Sequence, residues 1–396
     1  MDREKIRSIR AETPGCRNVI HFNNAGAALM ARPVIEAVEA YQRDEIMLGG
    51  YEAAAKNSDA LLRPKHAAAE LVNCAPEDIA IVENATRAWQ HAFYAIAQTM
   101  RPGDRILTAN AEYASNYIAF LQIAQTHSVG IDVVPNTQTG ELDTEKLGQM
   151  VDERTKLIAV THVPTNGGLV NPAVEIGKIA TQAQVPYLLD ACQSVGQLEI
   201  DVEEIQCDFL STTGRKWLRA PRGTGFLYAR PSAIEKFLPA ILDDHGAHWV
   251  SDNGYALLSG ASRFETFENN LAAKAGLGAA LDYALSLGMS EISTRVEQLA
   301  TDFRQALAAI PGVRLHDIGA RKCGIVTFTL DGVPADDIRA HMSARNINAW
   351  VSRTKSTRLD MVGRGLEAII RASVHYYNDH DEIERFCAEL ATIKPG

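Results

Sequence analysis

A lysine and an aspartate stand where two strand-like segments end, and both side chains can do acid–base or covalent chemistry. Asp190 ends the apolar run of residues 185–190, which is typical of a buried parallel strand that carries a carboxylate to a sheet edge. Lys216 follows a second apolar-leaning segment and precedes a Pro/Arg/Gly turn and the strand-like residues 225–228. A lysine amine forms a Schiff base with an aldehyde, and a buried acid keeps a pyridine nitrogen protonated. The pair therefore suits pyridoxal 5′-phosphate (PLP).

Three motifs together resemble the class V aminotransferase family. They are Asp190-Ala-Cys-Gln193, the spacing from that motif to Lys216, and the late run Arg371-Ala-Ser-Val-His-Tyr-Tyr-Asn378. The family includes cysteine desulfurases, kynureninase, isopenicillin epimerase-like proteins and several C–S lyases. The resemblance covers residues 22–386 and implies an α/β fold, the PLP-dependent transferase fold type I. In that fold a large domain with a mainly parallel seven-stranded sheet carries a small C-terminal α+β domain.

The chain divides into three predicted segments. Residues 1–20 are polar and predict an N-terminal arm that packs with the small domain. Residues 21–285 are assigned to the large PLP-binding domain. Residues 286–396 form the small C-terminal domain, because the pattern there changes to helix, strand, helix, strand and helix, with Pro311-Gly312 ending the first helix.

Polar turns that follow several predicted strands align with the cofactor contacts of the family. From residue types alone, Thr86 is a helix cap, Tyr113 packs on its own loop, Asn166 belongs to a Gly-rich turn and Asp190 forms a structural salt bridge. The resemblance assigns PLP binding to Ala85, Thr86, Tyr113, Asn166, Asp190, Gln193, Thr213, Arg215, Lys216 and Thr266.

The resemblance divides these residues between the phosphate and the ring. Ala85 and Thr86 open a helix after a strand, an arrangement that offers free backbone N–H groups to an anion. Thr213 and Arg215 stand where relatives place Ser and His against the phosphate, and arginine binds phosphate well. Thr266 is predicted to reach the phosphate of a neighbouring subunit across a homodimer interface.

Four residues are predicted to contact the ring. Tyr113 stacks on the pyridine, and its part in proton transfer stays open because a phenol titrates far above neutral pH. Asn166, with Thr165 as its alternative, hydrogen-bonds the ring oxygen or the substrate. Gln193 donates to the phenolic oxygen of the ring, while Asp190 pairs with the pyridinium.

Two residues are predicted to bind substrate. Arg371 lies inside a strand-like run, where a charge needs a strong partner, and an internal ion pair is the alternative. The resemblance implies that Arg371 grips the α-carboxylate of an amino acid as a bidentate fork. Asn24 lies in the turn of residues 21–27, where the family has an N-terminal substrate loop.

The predicted reaction is C–S bond cleavage by β-elimination from a cysteine S-conjugate or its sulfoxide, with Lys216 as the base and Asp190 as its catalytic partner. Cysteine desulfurases need a nucleophilic Cys in the loop before the late arginine strand, and residues 351–360 contain none. The run Gly49-Gly-Tyr51 resembles the C–S lyases of ergothioneine-type pathways. Alternatives within the family are an aminotransferase, an epimerase and a decarboxylating oxidative deaminase. A regulator or scaffold without catalysis is disfavoured by the intact set of cofactor residues.

A basic loop leaves a further alternative open. Arg353, Lys355 and Arg358 lie in residues 351–360, either as solvated surface charges or as groups that meet an acidic substrate tail. The run Asp243-Asp-His245-Gly-Ala-His248 lacks a third ligand pattern, so no metal site is predicted.

Composition predicts an ordinary globular enzyme. The 396 residues are 46% hydrophobic and 22% charged, and the net charge of −10 argues against nucleic-acid binding. No apolar run has the length of a membrane span, and the first residues lack the apolar core of a signal peptide. The six cysteines are scattered without a C-x-x-C pair, so we expect a reduced, cytoplasmic protein.

Overall fold

A computed structural model describes residues 1–394. The strands are β1 (Ile20–His21), β2 (Ile79–Val82), β3 (Arg105–Ala109), β4 (Gly130–Val134), β5 (Thr155–Thr161), β6 (Tyr187–Asp190), β7 (Phe209–Thr213), β8 (Gly225–Ala229), β9 (Ala247–Ser251), β10 (Gly254–Leu257), β11 (Val313–Leu315), β12 (Ile325–Leu330), β13 (Ile347–Asn348), β14 (Trp350–Arg353) and β15 (Ala368–Ser373).

The α-helices alternate with these strands through most of the chain. They are α1 (Arg3–Ala11), α2 (Arg32–Leu48), α3 (Gly50–Lys56), α4 (Ser58–Val72), α5 (Ala85–Ala97), α6 (Ala114–His127), α7 (Thr144–Met150), α8 (Ala173–Ala183), α9 (Val202–Ile205), α10 (Pro231–Lys236), α11 (Leu271–Leu287), α12 (Met289–Ala308), α13 (Ala335–Ser343), α14 (Arg358–Gly363) and α15 (His380–Ala391).

The largest sheet has seven strands in the order β2-β8-β7-β6-β5-β3-β4. Only β8 runs antiparallel to its neighbours, so the mainly parallel seven-stranded sheet predicted from the family is confirmed. Apolar side chains cover both faces: Leu188 of β6 joins one core cluster and the next residue, Leu189, joins the other. This two-sided burial explains why β6 has a continuous apolar sequence.

Neighbouring parallel strands end at one edge of this sheet. Thr161, the last residue of β5, pairs with Asp190, the last residue of β6, and Asp190 pairs with Ser211 of β7. Open α/β sheets bind their ligands outside the carboxyl ends of the strands. The register therefore brings the predicted site residues from separate segments to one edge.

A second sheet of four antiparallel strands, in the order β11-β12-β15-β14, lies in the C-terminal segment. Arg371 is on β15, opposite Trp350 of β14 and Thr327 of β12. The N-terminal segment contacts this part of the chain, since β1 pairs with β13 and Arg10 forms ion pairs with Asp379 and Glu382. The division at residues 20 and 285 stays a prediction.

Residues 243–257 contain two short strands. Strands β9 and β10 make an antiparallel hairpin that exposes Trp249 and Tyr255. His245 contacts Glu265 at 3.1 Å, and residues 1–394 contain no group of three His, Cys, Asp or Glu side chains placed to hold a metal ion. Within the same residues, no helix combines the length and apolarity that crossing a bilayer requires.

Candidate active site

A cavity of about 550 Å³ opens at the carboxyl edge of the large sheet. Strand ends, the first turn of α5 and the segment after β7 surround it. The lining residues are Asn84, Ala85, Thr86, Arg87, Gln90, Tyr113, Asn116, Thr161, Val163, Thr165, Asp190, Cys192, Gln193, Thr213, Arg215 and Lys216. Eight of the ten residues predicted to bind PLP are in this set, so the sequence motifs converge in space as the family pattern requires.

Asp190 presents a buried carboxylate to the cavity, with 4% of its surface exposed. It accepts hydrogen bonds from Asn116 Nδ2 at 2.8 Å and from the Cys192 backbone N–H at 2.9 Å. Burial raises the pKa of Asp190, although these donors and the charge of Lys216 act in the opposite direction. No ion pair neutralises Asp190 within residues 1–394, so a cationic ligand group would be a favourable partner.

Lys216 is buried beside Asp190, and its Nζ donates to Cys192 Sγ at 3.2 Å. Burial lowers the pKa of Lys216, and the charge of Arg215 lowers it further, while Cys192 and Asp190 oppose the shift. A lowered pKa increases the neutral fraction of the amine, which is the form that attacks an aldehyde and takes a proton. Lys216 is thus prepared for the covalent role that the sequence predicts.

A second buried carboxylate, which the sequence analysis did not single out, supports Asp190. Glu112 accepts from the Tyr113 and Thr161 backbone N–H groups, both at 2.9 Å, and from Asn116 Nδ2 at 2.8 Å. The Asn116 amide therefore bridges Glu112 and Asp190. Burial raises the pKa of Glu112 to about 7, helped by the charge of Asp190 and opposed by the hydrogen-bond donors.

The first turn of α5 forms one end of the cavity. Asn84 caps the helix by accepting from the Arg87 backbone N–H at 3.0 Å, and the backbone of Ala85 and Thr86 lies in the free first turn. The first N–H groups of a helix lack intrahelical partners and attract anions. Because Ala85 and Thr86 face the same cavity as Lys216, this turn is suited to the phosphate of a ligand whose other end reaches the lysine.

Gln193 and Tyr113 shape the middle of the cavity. Gln193 Nε2 donates to the Ala25 carbonyl at 3.0 Å, and Gln193 Oε1 accepts from Trp217 Nε1 at 2.8 Å, so the amide orientation is fixed. Tyr113 precedes α6 and is 37% exposed, with its ring on the wall of the cavity. An aromatic face at this position can stack on a heterocycle.

A second cavity of about 350 Å³ adjoins the first and shares four lining residues with it: Tyr113, Thr165, Arg215 and Lys216. Arg371 lines this second cavity. Its Nη1 donates to Thr165 Oγ1 at 2.5 Å and its Nη2 to Asn23 Oδ1 at 3.3 Å, while Nε has no partner in residues 1–394. Burial lowers the pKa of Arg371 to about 10, and no carboxylate of residues 1–394 pairs with it. The guanidinium is therefore available to an anionic ligand.

Three predicted site residues do not line either cavity. Asn24 is fully buried, donating to the His21 and Ser373 carbonyls and accepting from Tyr377, and the adjacent Asn23 lines the second cavity in its place. Asn166 Nδ2 donates to Thr357 Oγ1 at 2.9 Å, which leaves Thr165, the predicted alternative, on the cavity wall.

Thr266 is the third of these residues. Its Oγ1 donates to Glu83 Oε1 of the same chain at 3.4 Å. A contact to the phosphate of a neighbouring subunit stays a prediction, because the structure contains one chain.

The arrangement fits PLP by the chemistry of its donors. Asp190 is a buried carboxylate for a ring cation, Lys216 is a buried amine with a lowered pKa, and the first turn of α5 is a site for phosphate. All three face one cavity, so the cofactor would contact each of them.

Comparisons with known proteins give the same family. The family model Aminotransferase class-V matches residues 20–386. A probable cysteine desulfurase of Xylella fastidiosa (strain 9a5c) is 30% identical over 380 residues, which make up 95% of this chain and 91% of that protein. The apo structure of a cysteine desulfurase from Thermococcus onnurineus NA1 has a TM-score of 0.90 and 25% identity, and the match covers 97% of each chain.

A C–S lyase has the same fold. The cystine C–S lyase C-DES, solved with its reaction product cysteine persulfide, has a TM-score of 0.87 and 24% identity, with 97% of this chain and 100% of that chain covered. A variant of C-DES has been solved with glycine covalently linked to its PLP cofactor.

Proposed function

Because this chain belongs to the class V aminotransferase family and is a PLP-dependent enzyme of that family, we propose that it cleaves the C–S bond of a cysteine S-conjugate or of its sulfoxide by β-elimination. The proposal rests on the placement of Lys216, Asp190 and Arg371 around two adjoining cavities. In addition, residues 351–360 contain no cysteine thiol. Water completes the reaction: the conjugate and water yield a thiol, pyruvate and ammonia, and a sulfoxide yields a sulfenic acid in place of the thiol.

The side chains of this protein divide the work between binding and proton transfer. Arg371 binds the α-carboxylate, held in place by Thr165 and Asn23. Bound PLP supplies the electron sink that stabilises negative charge at Cα. Lys216 Nζ takes the Cα proton, since burial keeps a larger share of its amine neutral. Asp190, with Asn116 behind it, holds the charge that keeps the cofactor ring cationic.

The test is an assay of the holoenzyme with a panel of cysteine S-conjugates and sulfoxides. We expect pyruvate and ammonia in equal amounts, with a thiol or sulfenic acid. Transfer of the amino group to a 2-oxo acid would select an aminotransferase instead. Exchange of the Cα hydrogen without elimination would select an epimerase. Release of CO₂ with consumption of O₂ would select a decarboxylating oxidative deaminase.

A second candidate is cysteine desulfuration, favoured by Cys192. Its Sγ faces the first cavity at 3.2 Å from Lys216 Nζ, so a thiol is present in the site although the 351–360 segment has none. In desulfuration, L-cysteine and a protein thiol yield L-alanine and a protein persulfide. Assays with L-cysteine separate the two candidates: alanine with a persulfide on Cys192 selects desulfuration, and pyruvate selects elimination. Cys192→Ser abolishes the first reaction and leaves the second.

We also propose a homodimer. Large apolar side chains are exposed on α2, α3 and the β9–β10 hairpin, including Ile46 (80%), Tyr51 (78%) and Trp249 (82%). Exposed apolar surface of this kind marks an interaction site. A second copy of the chain would cover it and bring Thr266 towards the neighbouring cavity. Light scattering of the purified protein measures the mass directly, and a monomer at micromolar concentration would rule the dimer out.

Two narrower predictions stay proposals. The Gly-Gly-Tyr run lies at the junction of α2 and α3, where Gly49 has φ 99°, and a place in ergothioneine-type chemistry stays a proposal that rests on the sequence resemblance alone. The six cysteines are all free, which supports a reducing, cytoplasmic setting.

A further inference from the structure

The second cavity carries an excess of positive charge. Three arginines line it beside Lys216, namely Arg215, Arg222 and Arg371, and the lining contains no Asp or Glu. The other walls are neutral and come from the N-terminal loop, Thr165, Trp350 and Ser356 among others. Within residues 1–394, Arg215, Arg222 and Arg371 form no ion pair with a carboxylate.

Two of the three arginines have a pKa that the charge of a neighbouring arginine lowers. The charge of Arg215 contributes, after burial, to the lowered pKa of Arg371, and the charge of Arg222 likewise contributes to the lowered pKa of Arg215. Arg215 also donates through Nη1 to the Gly26 carbonyl, which fixes it beside the N-terminal loop. Positive groups that line a concave, partly buried site without neutralising partners raise the local concentration of anions there.

Two of the three arginines already have a proposed anionic partner, and the third does not. The cofactor phosphate belongs to the first turn of α5 with Arg215, and the α-carboxylate of the substrate belongs to Arg371. Arg222 is exposed at the opening of the second cavity and makes no hydrogen bond to residues 1–394. The basic side chains of the 351–360 segment do not replace it, because Arg353 pairs with Asp336 at 2.6 Å and only Ser356 of that segment lines the cavity.

We propose that the substrate carries a second anionic group, a carboxylate or a similar oxyanion on the substituent of its sulfur, and that Arg222 binds it at the opening of the second cavity. The inference rests on the proposed C–S cleavage and names its substrate class. Arg371 holds one end of the substrate, the sulfur lies beyond Cβ, and the substituent extends past Tyr113 and Trp350 to Arg222. Arginine suits this role because its fork matches a carboxylate in geometry as well as charge.

The experiment compares two conjugates that differ in one group: S-carboxymethyl-L-cysteine, which is anionic at its tail, and S-carbamoylmethyl-L-cysteine, a neutral amide of nearly the same size. The holoenzyme is assayed for pyruvate with each. We expect kcat/KM to favour the acid by about 2- to 5-fold, the range of an ion pair with a solvent-exposed arginine. Higher ionic strength should lower that ratio, because Arg222 is exposed to solvent.

Arg222→Gln is the decisive variant, and its expected acid-to-amide ratio is near one. Arg17→Gln, which removes an exposed arginine away from both cavities, is the matched control and should keep the wild-type ratio. An amide as good as the acid, or an unchanged ratio in Arg222→Gln, would overturn the proposal. If neither conjugate gives pyruvate, C–S cleavage itself has failed for these compounds. The affinities of the acid and the amide are then compared instead, from the change in cofactor absorbance when each compound is titrated into the holoenzyme, and the same outcomes are expected for the ratio of the two affinities.

Discussion

Removing the amide that joins the two buried carboxylates should destabilise the protein in a pH-dependent way. Asn116 Nδ2 lies 2.8 Å from Glu112 Oε1 and 2.8 Å from Asp190 Oδ2, and all three side chains are buried. A hydrogen bond to a charged group contributes roughly 1.5–3 kcal/mol, so Asn116→Ala should cost about 3–6 kcal/mol where both carboxylates are ionised. The loss should appear in the free energy of unfolding of the cofactor-free protein, measured with urea.

The pH dependence follows from Glu112, whose pKa burial raises to about 7. The folded chain binds this proton more tightly than the unfolded chain does, so the associated stability is present below the unfolded pKa and is lost as pH rises through about 7. Asn116→Ala removes a donor from both carboxylates and raises their pKa values further. The destabilisation should therefore be larger at about pH 8 than at about pH 5.5, by roughly 1–3 kcal/mol.

Ser115→Ala is the control, since it truncates the neighbouring residue of α6, whose side chain makes no hydrogen bond to residues 1–394. It should change stability by less than about 0.5 kcal/mol at either pH. An Asn116→Ala variant that loses less than about 1 kcal/mol, or loses the same amount at both pH values, would refute the reasoning.

Two further substitutions test the ends of the site. Arg371→Lys keeps the charge but loses the fork held by Thr165, so we expect KM to rise and kcat/KM to fall roughly 30-fold; steady-state kinetics with an unchanged KM would remove Arg371 from carboxylate binding. Asp190→Asn removes the buried partner of the ring cation, so kcat should fall by about 10²-fold or more, with the cofactor still bound. A pH titration of cofactor absorbance should show ring deprotonation at lower pH, and an unshifted titration would contradict the pairing.

Most of the residues that the sequence assigns to the cofactor lie together at one cavity, because they sit in short motifs at the ends of buried strands. Asp190 is placed by the continuous apolar run of β6 and Lys216 by the turn after β7, and both features are local. Helix α11 runs from Leu271 to Leu287 because Asn270 caps its start and Gly288 ends it, which are both local signals. Parallel pairing then brings such strand ends together without further information.

Which of two adjacent residues faces a cavity depends on contacts with distant parts of the chain, so it could not be predicted from one sequence. Asn23 rather than Asn24 lines the second cavity because the loop bridges to Ser373 of β15, nearly the whole chain away. Thr165 rather than Asn166 faces inward because Arg371 lies on that side. In both pairs the side chains of neighbours point in opposite directions, so an error of one position reverses the assignment.

The burial of individual side chains is a second property that the sequence does not show. In the sequence Glu112 is one acid among others in a polar loop. The structure buries it and shows that Asn116 links it to Asp190 by hydrogen bonds. Arg222 in turn has the sequence context of a solvated turn residue, and the role that we propose for it depends on the absence of any acid from the lining of the second cavity.

The central claim is the covalent bond between Lys216 and the cofactor aldehyde, and reduction with borohydride tests it most directly. The reduced holoenzyme is digested and its peptides are analysed by mass spectrometry. We predict one phosphopyridoxyl group, located on Lys216 and absent from Lys216→Ala. A label on a different lysine, or no label on a protein that retains full activity, would contradict the account.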